Sequence, residues 1–113
     1  MSCSSFSISV VCLIVCDSGP AVHFAAFATN LSIVTQLQVN IYASGPALNK
    51  LRDLKLPNSV QLTPFKIDDN DRKQQELVAI QLVDSCLKQG ARTIIVDIGN
   101  KFDAVFLNVS NRF

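Results

Sequence analysis

The chain has 113 residues, the length of one domain. Its formal net charge is +1, from ten basic and nine acidic side chains, with no Trp and one Tyr. No basic patch or set of stacking aromatics stands out, so the sequence has no electrostatic footprint for nucleic acid.

Phe6 to Val15 is rich in Ile, Val and Phe and predicts a central strand. Asp17-Ser18-Gly19-Pro20 breaks it. Ala21 to Leu31 predicts a helix on the small or apolar positions Val22, Ala25, Ala26, Ala28 and Thr29. Pro20 suits its first turn and Ser18 its cap. Gln38 to Ala43 is a second strand. Ser44-Gly45-Pro46 turns it into a short helix, Ala47 to Leu54, with one stripe of Leu48, Leu51 and Leu54. Pro57-Asn58 closes that connection.

Val60 to Ile67 predicts a third strand containing Pro64. Proline cannot donate to a ladder, so this strand belongs at a sheet edge or bulge. Asp71 with Gln74 fits a capping box and opens a helix of some sixteen residues, with Leu77, Ile80, Val83 and Leu87 as its apolar face. Gly90 stands where a C-terminal glycine is expected. Thr93 to Ile98 is a fourth strand. Gly99-Asn100 breaks it, and Ala104 to Val109 predicts a fifth.

This β-α-β-α-β-α-β-β order argues for an α/β domain with a mainly parallel sheet of about five strands between helical layers. Pro64 at an edge selects the order 3-2-1-4-5, a three-layer, Rossmann-like arrangement. The order 2-1-3-4-5 would bury it. The expectation is one domain over residues 1–113, standing alone or as half of a larger protein. Hydrophobic residues make up 49% and charged residues 17%, against about 25% charged in a typical soluble domain. A sheet buried on both faces uses such apolar strands. A homo-oligomer interface or a partner domain would use the surplus too.

In open α/β sheets, ligands sit beyond the carboxyl ends of the strands, where the strand order reverses. With the order 3-2-1-4 that point lies between the first and fourth strands. The segments there are Asp17-Ser18-Gly19 and Asp97-Ile98-Gly99-Asn100. The first also leads into a helix N-terminus, which favours anions, with Ser18 as a donor. Asp and Gly are equally the ordinary residues of strand-to-helix turns, so each segment fits a purely structural role as well. Neither is a G-x-G-x-x-G nor a Walker loop, so no dinucleotide or ATP cofactor is implied by motif.

Cys16 ends the first strand at the helix mouth. There it is either a thiol activated by the helix or a buried apolar cysteine. His23, the only histidine, lies within reach of the Asp17 turn or stands on the surface. Asp68, Asp69 and Asp71 either hold a metal or solvate a loop and complement a helix dipole. Cys3, Cys12, Cys16 and Cys86 contain no C-x-x-C pair, so a structural zinc site is not expected and free thiols in a cytoplasmic setting are. The run Ile8 to Cys16 before Gly19-Pro20-Ala21 has the outline of a signal peptide. Residues 1–16 hold no Lys or Arg, however, and the run is too short to span a membrane.

The segment Ile14 to Phe24 (IVCDSGPAVHF) resembles the strand, glycine turn and helix that begin nucleotide-sugar glycosyltransferases of two Rossmann-like domains. Val39 to Ala47 (VNIYASGPA) resembles their second strand and turn, and Ala91 to Asp97 extends the likeness. The resemblance implies that the first turn faces an interdomain cleft, with Asp17 or His23 as the catalytic residue. It also implies that the donor-binding domain is missing from this chain. Cys16-Asp17-Ser18-Gly19 is similar, too, to the Cys-x-x-Gly loop of phosphocysteine carrier domains of sugar phosphotransferase systems. Those carry a Ser/Thr run where this chain has Pro20, Ala21 and Val22.

Together these readings predict a small phosphate-bearing or nucleotide-type ligand at the Asp17 turn. The candidate catalytic residues are Asp17 and His23. The candidate ligand residues are Cys16, Ser18, Gly19, Ser44, Gly45, Asp97, Gly99 and Asn100. No cofactor, nucleic acid or membrane partner is expected. A phosphocarrier and a non-catalytic interaction domain are the alternatives.

Overall fold

A computed structural model describes residues 10–35, 37–97 and 101–113, with Lys101 in its backbone alone. It holds four strands and four helices. They are β1 (Val10–Val15), α1 (Ser18–Thr35), β2 (Gln38–Ala43), α2 (Gly45–Arg52), β3 (Val60–Pro64), α3 (Arg72–Lys88), β4 (Ala91–Val96) and α4 (Lys101–Ser110). The sheet is parallel in the order β3-β2-β1-β4. The proline strand β3 is therefore an edge, as its missing N–H requires.

β1 is central, and all six of its residues are buried. Its alternation assigns the two faces. Val11, Leu13 and Val15 join Val39, Ile41 and Ala43 of β2 under α1 and α2. The contacts from those helices are small: Ala21, Ala25 and Ala28 from α1, and Ala47 with Leu51 from α2. Val10, Cys12, Ile14 and Cys16 face the other way. They pack with Ala79, Leu82, Val83 and Cys86 of α3 and Phe102, Phe106 and Val109 of α4.

Several elements depart from expectation. The segment Ala104 to Val109 is helix α4, not a fifth strand. Phe102, Val105, Phe106 and Val109 recur at helical spacing and are all buried, so the run has a period of 3.6 rather than 2. α1 starts at Ser18, so Ser18 lies inside the helix instead of capping it. Asp17 takes the cap position, its carbonyl accepting from the Ala21 N–H at 3.2 Å. α2 starts at Gly45 and ends before Leu54, and β3 stops at Pro64 rather than Ile67. For the first and fourth strands, residues 6–9 and Ile98 lie outside the described residues, as do Gly99 and Asn100.

α3 keeps its predicted ends. Asp71 accepts from the Gln74 N–H at 3.1 Å, and Gly90 sits beyond the helix at φ 87°. Its buried face is rotated from the predicted stripe. Ala79, Leu82, Val83 and Cys86 are buried, whereas Leu77, Ile80 and Leu87 are exposed. That face packs into the core shared with β1 and α4.

A polar network is embedded on the α3 face of the sheet. The Asn40 amide donates to the Gln89 side-chain oxygen, and the Gln89 amide donates to the Tyr42 hydroxyl. Ser85 Oγ stands 3.1 Å from that hydroxyl and accepts from Gln89 at 3.2 Å. Asn40 and Tyr42 are buried, so these bonds replace the water that β2 excludes.

Candidate functional site

The carboxyl ends of three strands enclose a cleft of about 530 Å³. Cys16 and Asp17 enter it from β1, and Ser44, Gly45 and Pro46 from the turn after β2. Leu48 and Asn49 of α2 and Phe65, Lys66, Ile67 and Asp69 after β3 complete it.

The chain reverses direction at Gly45, whose φ of 51° lies in the left-handed region. A β-carbon there would meet nothing within 4 Å, so the glycine serves backbone conformation and not space. The Ser44 N–H donates to the Val15 carbonyl at 3.2 Å, and the Ala47 N–H donates to the Cys16 carbonyl at 3.3 Å. These two bonds fix the turns after β1 and β2 to each other. Pro46 has no N–H and that of Ala47 is used, so α2 offers the cleft no row of free amides. Lys66 is the basic residue of its lining, alongside the acidic Asp17 and Asp69.

Ser44 occupies the N-cap position of α2 without a side-chain capping bond. Its side chain instead shares a hydrogen bond with Cys16. Burial pushes the Cys16 thiol up to about 11, against the pull of that bond, and the charges of Asp103, Asp17 and Asp69 add to the rise. Cys16 is 4% exposed. It is thus a neutral lining thiol at pH 7 and not a ready nucleophile.

This has a measurable consequence. The thiolate population of Cys16 should lie about 100-fold below that of an ordinary thiol near neutral pH. Maleimide labelling of the native chain should therefore leave Cys16 unmodified at pH 7 and reach it only as the pH approaches 11. The folded-state value lies above the unfolded one, so the stabilising contribution is intact below pH 9 and is lost between about 9 and 11. Denaturant titrations should show that loss, and Cys16→Ala should flatten it.

The structure brings four of the predicted site residues into the cleft: Cys16, Asp17, Ser44 and Gly45. Ser18, Gly19 and His23 lie on the first turns of α1, exposed, and do not line it. Asp97 sits beside β1, its N–H 3.4 Å from the Ile14 carbonyl, also outside the lining. The acidic run is divided among tasks. Asp71 caps α3, Asp68 accepts from the Asn70 N–H at 2.9 Å, and Asp69 faces the cleft. Among the described residues no group of three His, Cys, Asp or Glu is placed to hold a metal.

Phe65, Lys66 and Ile67 stand outside the predicted site because the sequence pattern runs the third strand through Ile67, whereas β3 ends at Pro64. The available signal was Pro64: a strand ending there places the next residues at a carboxyl end, where ligands bind. No described helix is long and apolar enough to cross a membrane. No family model matches the chain, and no curated protein is significantly similar to it in sequence.

Proposed function

We propose that the protein is a Rossmann-like binding domain that takes a small phosphate-bearing ligand of nucleotide or nucleotide-sugar type in the cleft above β1, β2 and β3. The observation that carries this reading is the division of the cleft wall. Pro46, Leu48, Phe65 and Ile67 offer an apolar surface for a planar ring, while a few polar groups converge on the same space. Asp17 and Asp69 suit the hydroxyls of a ribose or sugar, and Lys66 suits a phosphate. The volume lies within the range of small-molecule sites, roughly 300–1,000 Å³. The segments that resemble glycosyltransferases supply Cys16, Asp17, Ser44 and Gly45, which supports the narrower reading of half a glycosyltransferase-like protein.

A thermal-shift panel of uridine and adenosine nucleotides and UDP-sugars tests this. A ligand at 100 times its Kd should add about 2.7 kcal/mol of stability and raise Tm. Lys66→Ala should weaken binding about tenfold or more, the scale of one charge-assisted hydrogen bond. No shift from any member at millimolar concentration would remove the proposal.

The protected, neutral Cys16 argues against the phosphocysteine carrier. One observation favours an interaction domain. α1 carries no Asp, Glu, Lys or Arg, yet it exposes Phe27, Ile33 and Val34, the last at 81%. Such a surface suits a protein partner. A concentration-independent monomer mass by light scattering would count against self-association.

A further inference from the structure

The two edges of the sheet are not alike. The N–H and C=O groups of successive strand residues point to opposite sides, so one hydrogen bond fixes the direction of the rest. At β3 the Phe65 N–H donates to the Ala43 carbonyl at 3.0 Å, which turns Leu62 and Pro64 toward the outer edge. Pro64 has no N–H, so that edge is blunted. At β4 the Asp97 N–H donates inward to the Ile14 carbonyl at 3.4 Å, which turns Ile94 and Val96 outward. Both keep their N–H, and no strand pairs with this edge among the described residues. The segment expected there as a fifth strand is helix α4.

The flank of α1 beside this edge is apolar. Val22, Ala26 and Thr29 line a groove with Leu54 and Leu56, on the α2 side of α1. The sheet order puts β4 on the other side, where Phe24, Phe27, Leu31 and Val34 recur at helical spacing. Phe27 and Val34 are exposed. Below them, on the same face of β4, Thr93 is exposed and Ile95 half-buried.

We propose that the outer edge of β4 docks a second copy of this chain, the two β4 strands pairing antiparallel about a two-fold axis at Ile94. An unpaired edge offers a ready template for a strand. In this register Ile94 faces Ile94 of the second copy, and Arg92 faces its Val96, so the outward groups of both edges meet. Charge favours a second copy as the occupant. β4 has basic Arg92 near its start and is followed by acidic Asp97. Reversing one copy sets each Arg92 beside the Asp97 of the other. β4 and α1 hold no other Asp, Glu, Lys or Arg, so no like charges are brought together. The cleft lies over β1, β2 and β3 and stays open, so this pairing is independent of its ligand.

Sedimentation equilibrium of the full chain should give the mass of two chains. In a mixture of isotope-labelled and unlabelled chain, an intermolecular NOE should join the α-protons of Thr93 and Ile95, the close pair of that register. Arg92→Glu, at an exposed side chain, should weaken dimerisation about tenfold, and adding Asp97→Arg should restore it to within about threefold. A monomer up to millimolar concentration overturns the proposal. So does a dimer without that NOE, or a double variant that dimerises no more tightly than Arg92→Glu alone.

Discussion

Phe102→Ala should lower the unfolding free energy by about 3–5 kcal/mol, the cost of deleting a buried aromatic ring and leaving its cavity. Phe102 is 1% exposed and packs on two other rings. Its centroid lies 5.6 Å from that of Phe65 and 6.2 Å from that of Phe106, both pairs tilted. Domains of this size have only about 5–15 kcal/mol in total, so the variant should be close to unfolding at room temperature. Urea denaturation measures the loss. Leu107 on the same helix is 42% exposed, and Leu107→Ala should change stability by no more than about 0.5 kcal/mol. Val109 tests the helical assignment of α4, since it is fully buried and seven residues from Phe102. Residues seven apart share a face in a helix and stand on opposite faces in a strand. Val109→Ala should therefore also be costly, and a loss there no larger than that at Leu107 would contradict the helix.

The second large effect is expected at Gln89. Its amide holds Asn40 and Tyr42, two polar groups that β2 carries into the core. Gln89→Ala removes the partner of the Asn40 amide and leaves Tyr42 with Ser85 alone. Gln89 is itself exposed, so water reaches the vacated position and the cost should be about 1 kcal/mol. Asn40→Leu alone removes the buried amide that needs the bond. In the double variant the two losses should not add, because the second substitution no longer strands a polar group. A coupling of about 0.5–3 kcal/mol is the expected range for residues in one network. Strict additivity would mean that the network contributes nothing beyond its separate packing.

These residues also show what was legible in the sequence and what was not. β2 was readable over Gln38 to Ala43 because Ser44-Gly45-Pro46 stops it with turn chemistry that has one meaning. The edge position of β3 followed from Pro64 alone, through a missing N–H. α4 is hidden because Ala104 to Val109 is a short apolar run, for which strand and helix periods overlap. Starting the window at Phe102 reveals the helical spacing. The rotated face of α3 was not readable at all. Leu77, Ile80 and Leu87 are a good apolar stripe by spacing, and only packing against β1 and α4 selects the stripe that turns inward.

The candidate site divides in the same way. Cys16, Asp17, Ser44 and Gly45 were legible because turns after parallel strands announce themselves by residue type. Lys66 and Phe65 are hidden, since β3 ends at Pro64 while its sequence pattern continues to Ile67. The polar network was hidden for another reason. Asn40, Tyr42, Ser85 and Gln89 come from two elements, and only the packing of α3 on β2 brings them together. The predicted partnership of Asp17 with Asp97 rested on strand order. The order is correct, but the cleft opens over β1, β2 and β3, where the loop after β3 supplies its third wall.

The central claim is that this cleft is where the protein meets a small ligand. Amide chemical-shift mapping during a titration with UDP-glucose and UDP tests it most directly. The account predicts saturable shifts confined to the three strand-end segments, residues 16–17, 44–49 and 65–69, and weakened by Lys66→Ala. Saturable shifts clustered elsewhere, or none up to millimolar ligand, would contradict it.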